Sequence, residues 1–233
     1  SERRSIDRRK DEFLSIASHE LRSPLTPLTG TLQLARRQRE RGESVDLSLL
    51  TRAERQISRL TRLIDGLLDL TRIETGRIEL ELQEIDIVEF VRNRVQPWNL
   101  NPKDIDLELS VPDEKIPVRI DPERINQVLT NVVDNAIKYS KADEIIRIEV
   151  SDRSEQVELA IEDDGVGMDD KTVDHIFDRF FHGHGSERAP KSMGLGLYIC
   201  RQIVEQHDGE INVDSSKGVG TRVEVVLPKR QTT

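Results

Sequence analysis

A single cysteine, Cys200, excludes an intramolecular disulfide framework and any multi-cysteine metal site, and it suits a reducing cytosolic setting. Aromatic residues make up only 3% of the 233 positions, so the 35% that is hydrophobic is mostly aliphatic. No run approaches about eighteen apolar residues and no signal-peptide pattern opens the chain, so these residues are expected neither to span nor to contact a membrane. A basic excess is missing as well. Lys and Arg number 35 against 44 Asp and Glu, and the net charge of -9 argues against a nucleic-acid partner, because neutralising phosphates needs a basic surface. A start methionine is also lacking, and the chain opens at Ser1 in a charged helical pattern. It is therefore expected to be a cytoplasmic fragment whose upstream sensor part, membrane-anchored or not, is missing.

What is present divides into two halves by the period of its apolar residues. From Ser5 to about Arg41 and from about Asp46 to Arg77 they recur at threes and fours. Leu50, Ala53, Ile57, Leu60, Ile64 and Leu67 form a coiled-coil seam in the second run, and Gly42-Glu43-Ser44 supplies the turn between runs. Two helices of roughly 35 residues, each about 50 Å long, make too thin a hairpin to enclose a core. Pairing two copies into a four-helix bundle buries both seams, so a homodimer is expected.

After Gly76 the pattern changes. Short alternating or apolar segments at Asp104–Val111, Ile116–Ile120, Ile145–Val150, Val157–Ile161, Glu210–Val213 and Thr221–Leu227 read as strands. Helical patterns interleave near Asp86–Val95, Pro122–Tyr139 and Leu195–Gln206. Such alternation predicts a mixed sheet with helices on one face, the second layer of an α + α/β chain. The boundary falls near Gly76–Leu82, giving domains 1–78 and 79–233.

The chemistry-bearing residues begin with His19. The first seam runs through Leu14, Ala17, Leu21, Leu25, Leu28, Leu32 and Ala35. At about 100° per residue, His19 sits about 200° from both Ala17 and Leu21 and is expected to face solvent. Ser23 shares its face one turn on, Glu20 is its neighbour, and Pro24 removes the amide that would bond the carbonyl of Glu20, so the helix is expected to bend or loosen there. An exposed imidazole beside a carboxylate is suited to nucleophilic attack, although a lone surface histidine is ordinarily just solvated.

In the second half, Asp121-Pro122 opens a helix with an N-cap aspartate and a first-turn proline. Ile125, Val128, Leu129, Val132 and Ala136 form its apolar face, while Asn131, Asn135 and Lys138 fall within about 60° of one another on a polar stripe. Amide oxygens ligate a hard cation and lysine meets phosphate, so the stripe suits a Mg-nucleotide, though a solvated face would look the same. Strand alternation turns Asp163 inward with Val157, Leu159 and Ile161, against the Gly165-x-Gly167 turn. An inward carboxylate there can accept from an adenine amino group. Gly194-Leu195-Gly196-Leu197 precedes a helix whose first N–H groups are free for an anion, and the preceding stretch Phe181–Met193 reads as a mobile loop.

These motifs together carry a resemblance. Ser18-His19-Glu20-Leu21-Arg22-Ser23-Pro24-Leu25 resembles the phosphoacceptor box of sensor histidine kinases. The asparagine helix, the Asp163-x-Gly165-x-Gly167 turn, Phe177-Asp178-Arg179-Phe180, the Gly194–Leu197 loop and Gly218-Val219-Gly220-Thr221 are similar, in order, to the boxes of that family's ATP domain. The resemblance implies a dimeric four-helix bundle joined to a two-layer sandwich of the Bergerat, or GHKL, type. It implies autophosphorylation of His19 from ATP with Mg²⁺, and phosphotransfer to an aspartate of a response-regulator receiver domain. It assigns Mg²⁺ to Asn135 with Asn131 in support, phosphates to Lys138 and the glycine loop, the pocket wall to Tyr139 and adenine to Asp163, with Thr221 in the last box. Glu20 would orient or deprotonate the imidazole. Ser23 stands where the family usually has Thr or Asn, which leaves dephosphorylation of the partner open. Pro27 is a second proline in the helix, and Lys191-Ser192-Met193 replace residues that are commonly glycine-rich.

Two rival readings have distinguishing features. An ATP-driven machine like gyrase, Hsp90 or MutL would lack the Ser-His-Glu-Leu-Arg helix, and a non-catalytic scaffold would have no need of complete nucleotide boxes. His182-Gly183-His184 has no third obvious ligand, which argues against a metal pair. Cys200 is expected to be a small core residue, Trp98 a packing residue, and Arg36, Arg37 and Arg39 either a solvated run or a docking site for an acidic receiver.

Overall fold

The computed structural model describes residues 2–42, 44–74, 79–99, 106–140, 144–181 and 194–230, with the side chains of 2–16, 19, 20, 74, 97 and 99 outside that description. It divides into two compact units, Ser1–Arg77 and Ile78–Thr233.

The first unit is a helical hairpin of α1 (Glu2–Glu40) and α2 (Leu47–Glu74). Helix α1 continues without interruption through Pro24 and Pro27. Nearby threonine hydroxyls return hydrogen bonds to carbonyls one turn back: Thr26 to Arg22, Thr29 to Leu25 at 2.9 Å and Thr31 to Pro27 at 2.9 Å. At the turn Gly42 takes φ +73°, a left-handed conformation that glycine adopts without a Cβ penalty. Asp46 then starts α2, its carboxylate accepting from the Ser48 N–H at 2.8 Å and the Ser48 hydroxyl at 2.6 Å. The hydroxyl bond is the first cause holding the Asp46 carboxyl below its ordinary value. Glu43, the middle of the expected turn, lies outside the described residues, as does the side chain of Leu14 in the first seam.

The seam expected on α2 lies along one side of the helix and is only partly covered within the single chain. Leu49, Ala53, Leu63 and Leu70 are buried, while Leu50, Ile57 and Ile64 are 47%, 52% and 43% exposed, with Leu60 and Leu67 between. A three-four alternation assigns all apolar residues to one stripe. At about 100° per residue the six seam residues stay within one stripe, with Ala53 covered in the hairpin and the seven-spaced trio toward its open edge.

The second unit holds β1 (Gln83–Asp86), α3 (Ile87–Asn99), β2 (Asp106–Ser110), β3 (Pro117–Ile120), α4 (Pro122–Tyr139), β4 (Ile145–Arg153), β5 (Gln156–Asp163), α5 (Asp170–His175), α6 (Gly196–Gln206), β6 (Glu210–Ser216) and β7 (Gly220–Pro228). Five strands form one sheet in the order β2-β4-β5-β7-β6, parallel at β2–β4 and antiparallel elsewhere, so the expected mixed sheet is present. A two-stranded pair, β1 with β3, stands apart from it.

Alternation explains the sheet's two faces. Ile146, Ile148, Val150, Val157, Leu159, Ile161, Val223, Val225 and Leu227 are buried on one side. On the other, Arg222 reaches Glu224 in its own strand at 2.8 Å and, across to β5, Glu162 at 3.0 Å and Glu158 at 3.6 Å. Helix α4 covers the apolar side through Ile125, Val128, Leu129, Val132, Val133 and Ala136, all buried. Burying each of the larger aliphatics among these stabilises the unit by roughly 1.5–3 kcal/mol.

Candidate active site

Helix α4 is fixed at its start by Asp121, whose Oδ1 accepts from the N–H groups of Glu123 at 3.0 Å and Arg124 at 3.1 Å, as a capping aspartate does. Its Oδ2 accepts from the N–H of Glu81 at 3.0 Å. From the other side, the buried His207 Nε2 accepts the backbone N–H of Asp121 at 3.0 Å. The helix is thus anchored to the chain that enters the unit and to the end of α6. Asn131, Asn135, Lys138 and Tyr139, all half-buried, lie along it. Lys138 turns to its neighbour, with Nζ 3.0 Å from the Tyr139 hydroxyl and 4.6 Å from the ring centre.

At the C-terminal end of α4 the chain meets the β5 turn. The Val166 N–H bonds the Tyr139 carbonyl at 3.2 Å, and a Cβ on Gly165 would collide with that carbonyl and lie 2.6 Å from Asp163 Oδ1. Only glycine permits this approach. Asp163 ends β5 on the apolar side of the sheet and is 7% exposed, in keeping with strand alternation. Its Oδ1 accepts from the Gly165 N–H at 2.9 Å. Burial pushes its carboxyl up to about 6, opposed by the N–H groups of Gly165 and Thr221 and reinforced by Glu144 and Asp164.

The β6–β7 turn closes on the same place. Thr221 is the register partner of Asp163 in β7, Gly218 N–H bonds Val166 carbonyl at 2.7 Å, and Gly167, at φ +57°, abuts Ser216 and Gly220. Asp163, Gly165, Gly167, Thr221 and Tyr139 are therefore brought together. The glycine loop approaches α4 at another point. A Cβ on Gly196 would lie 3.4 Å from Asn131 Oδ1. Gly194 takes φ +65° and its carbonyl accepts from Phe180 N–H at 3.0 Å. Leu195 precedes α6 and gives its first-turn N–H groups no side-chain capping bond; Leu195 is buried and Leu197 half-buried.

Cys200 is buried, its sulfur 4.0 Å from the Val128 carbonyl, and burial pushes its thiol up to about 12, so it is inert core. Two surface clefts, of about 350 and 340 Å³, share Phe177, Arg201 and Glu205; they take in Phe177, Asp178 and Arg179 of the third box but none of the residues expected to hold the nucleotide. They lie away from the cluster at the ends of α4, where the polar donors and acceptors converge.

On the helical unit, the backbone of His19 and Glu20 is helical, and the expected exposure of the imidazole concerns a side chain outside the described residues. Around it Ser18, Arg22 and Ser23 are exposed, while Ala17 and Pro24 are buried. Arg36 pairs with Glu40 at 2.8 Å. The His182-Gly183-His184 pair, Lys191-Ser192-Met193 and most of the expected loop from Phe181 also lie outside the described residues. Among the described residues no three His, Cys, Asp or Glu side chains gather as a metal site, and no helix is long and apolar enough to cross a membrane.

Reading the sequence did not single out His207 or Ser215. His207 follows a helix and Ser215 occupies a polar strand position, and only the fold brings the first to Asp121 and the second to Thr221 at 3.0 Å.

Residues 9–76 match the model of the His Kinase A (phospho-acceptor) domain, and residues 120–231 match that of the histidine kinase-, DNA gyrase B- and HSP90-like ATPases. The chain is 30% identical to the sensor protein kinase WalK of Staphylococcus haemolyticus over 231 residues, 98% of this chain and 38% of that protein. It therefore spans well under half of that relative. Among solved structures, the Acinetobacter baumannii histidine kinase AdeS is similar with a TM-score of 0.69 at 27% identity, over 91% of this chain and 98% of that one. The histidine kinase ThkA, in complex with the response regulator protein TrrA, has a TM-score of 0.65 at 25% identity, covering 98% of this chain and 66% of that one.

Proposed function

The chain belongs to the sensor histidine kinase family of two-component systems, and on that footing we propose that it binds Mg-ATP in its α/β unit and transfers the γ-phosphoryl group to a ring nitrogen of His19. The observation that carries this reading is the convergence of Asp163, Gly165 and Thr221 on the C-terminal end of α4, with the Gly196 loop against Asn131 on the same helix. Asp163 would accept from the adenine amino group, and Gly165 and Gly167 let the base approach the backbone. Tyr139 would wall the pocket. Lys138 would leave Tyr139 for a phosphate oxygen, joined by N–H groups of the Gly194–Leu197 loop at the start of α6.

Asn135 suits Mg²⁺, because this ion takes one or two protein oxygens and fills its remaining positions with phosphate oxygens and water. When bound, it would neutralise phosphate charge. Asn131 would support that face of α4.

In the transfer, a neutral ring nitrogen of His19 attacks the γ-phosphorus, the bond to the β-bridging oxygen breaks, and ADP leaves. Glu20 would orient the ring and accept its other proton. Catalysis here is mostly positioning, since the transferred group passes between oxygen and nitrogen with little other covalent chemistry. The phosphoryl group would then pass to an aspartate of a receiver domain. ThkA's complex with a response regulator supports that partner. A second copy covering Leu50, Ile57 and Ile64 would complete a four-helix bundle. Arg37 and Arg39 are exposed near the hairpin turn and would offer charge to the receiver.

The reading is tested by incubating the chain and Mg²⁺ with ATP labelled at either the α or the γ phosphorus. Label on the protein from the γ position alone supports transfer. Label from both, or from neither, contradicts it.

A further inference from the structure

Ser215 lies in β6, outside every motif named above. Its hydroxyl touches three groups: the Gly220 carbonyl oxygen at 2.8 Å, the Met168 N–H at 2.9 Å and Thr221 Oγ1 at 3.0 Å. A hydroxyl has one hydrogen to give and two lone pairs to accept with. A carbonyl oxygen only accepts, so Ser215 gives its hydrogen to Gly220. An amide N–H only donates, so Ser215 accepts from Met168. One lone pair is left for Thr221, and that contact forms only when Thr221 is the donor. The single hydrogen of Thr221 is thereby directed to Ser215, and toward any other group Thr221 Oγ1 is an acceptor.

Thr221 pairs in register with Asp163. Directly opposed residues of antiparallel strands set their side chains side by side on one face of the sheet. An ionised carboxylate also accepts only, and one Asp163 oxygen already takes the Gly165 N–H. This edge of the site therefore consists of acceptors without a hydroxyl or carboxyl donor. A ligand that meets it must bring hydrogens.

Resting on the reading that this edge faces the nucleobase, we propose that Ser215 sets base specificity by holding the Thr221 hydroxyl as an acceptor, which selects a purine carrying an amino group at C6 over one carrying an oxo group. Ser215 does not touch the base. It is a positioning residue acting through Thr221. The oxo purine is disfavoured because its oxygen meets acceptors in a buried place, where an unmet polar group is costly.

The test is equilibrium titration of the whole chain with ATP and with inosine triphosphate, which has oxygen at C6. The wild type should prefer ATP. In Ser215→Ala the freed Thr221 hydrogen can turn to the oxo group, so the ratio of affinities should narrow by about fivefold or more, chiefly through gain by inosine triphosphate. Ser215→Thr keeps the hydroxyl and should restore the preference. Thr221→Val leaves Ser215 bonded to Gly220 and Met168, and should narrow the ratio through loss of ATP affinity, which keeps the test alive should Ser215→Ala fold poorly. An unchanged ratio in the folded variants, with both affinities intact or both reduced alike, would mean that Ser215 merely pins the Gly165–Met168 turn. That outcome overturns the inference and leaves the nucleotide site standing. A wild type that does not distinguish the two nucleotides would instead overturn the adenine reading itself, and the inference with it.

Discussion

His207 Nε2 accepts the backbone N–H of Asp121 at 3.0 Å, joining positions 86 residues apart at the start of the helix that carries Asn131, Asn135 and Lys138. The other ring nitrogen lies 2.7 Å from the Ile203 carbonyl, which can only accept, so Nδ1 carries the proton and the ring is neutral. Burial lowers the affinity of this ring for a second proton below its ordinary value, with Ile203, Asp121 and Asp208 opposing.

His207→Ala should therefore destabilise the α/β unit by roughly 2–4 kcal/mol, from a cavity and an unpaired Asp121 N–H, as read by denaturant unfolding. The sign of the pH dependence follows from the lowered pKa. The unfolded chain takes up this proton first as pH falls, so the contribution of His207 is full above its unfolded value of about 6.5 and is lost as pH drops through the lower folded value. The wild type should lose stability over that window more steeply than the variant, and equal slopes would contradict the assignment.

Asp163 runs the opposite way. Its carboxyl is raised from 3.8 to about 6 in the fold, first by burial. The folded chain holds this proton between those values while the unfolded chain does not, so stability is full below about 3.8 and declines as pH rises through about 6. Asp163→Asn lacks the charge and should gain thermal stability relative to the wild type at about pH 7.5 but little at about pH 4. The same change removes an acceptor, so ATP affinity should drop at neutral pH by about tenfold, as a lost hydrogen bond to a charged group does. A stability difference independent of pH would mean that the carboxyl is not held in a desolvated place.

How much of this was legible in the sequence depends on how local the signal is. Asp121-Pro122 announced α4 because a cap and a first-turn proline act within one turn. Inward Asp163 followed from a period of two along β5. The pair β1–β3 was half missed, since Gln83–Asp86 is four residues long with no alternation, and its pairing is supplied by β3. Helix α5, six residues, was missed because it turns on Asp169 capping Thr172 at 2.8 Å rather than on an apolar stripe. On α2 periodicity puts the seam residues on one side, but which edge of that stripe the other helix of the hairpin covers is set by packing. His207 and Ser215 act through contacts that only the tertiary register creates.

The open edge of that stripe matters for association. Ile57 lies at the middle of the exposed trio with Leu50 and Ile64, so Ile57→Glu should convert a dimer of the chain to monomer without unfolding the hairpin, because its side chain is not part of the hairpin core. Ala53→Glu, on the buried face, should instead unfold the helical unit. Sedimentation with circular dichroism separates the two results. An Ile57→Glu chain that stays dimeric would place the association surface elsewhere.

The most direct measurement is labelling of the whole chain by γ-labelled ATP with Mg²⁺, comparing the wild type with His19→Gln and testing the label for acid lability. The account predicts acid-labile label on the wild type and none on His19→Gln, with ATP binding by the variant unchanged within about twofold, because the residues proposed to hold the nucleotide lie in the other unit. Undiminished acid-labile label on His19→Gln would contradict it.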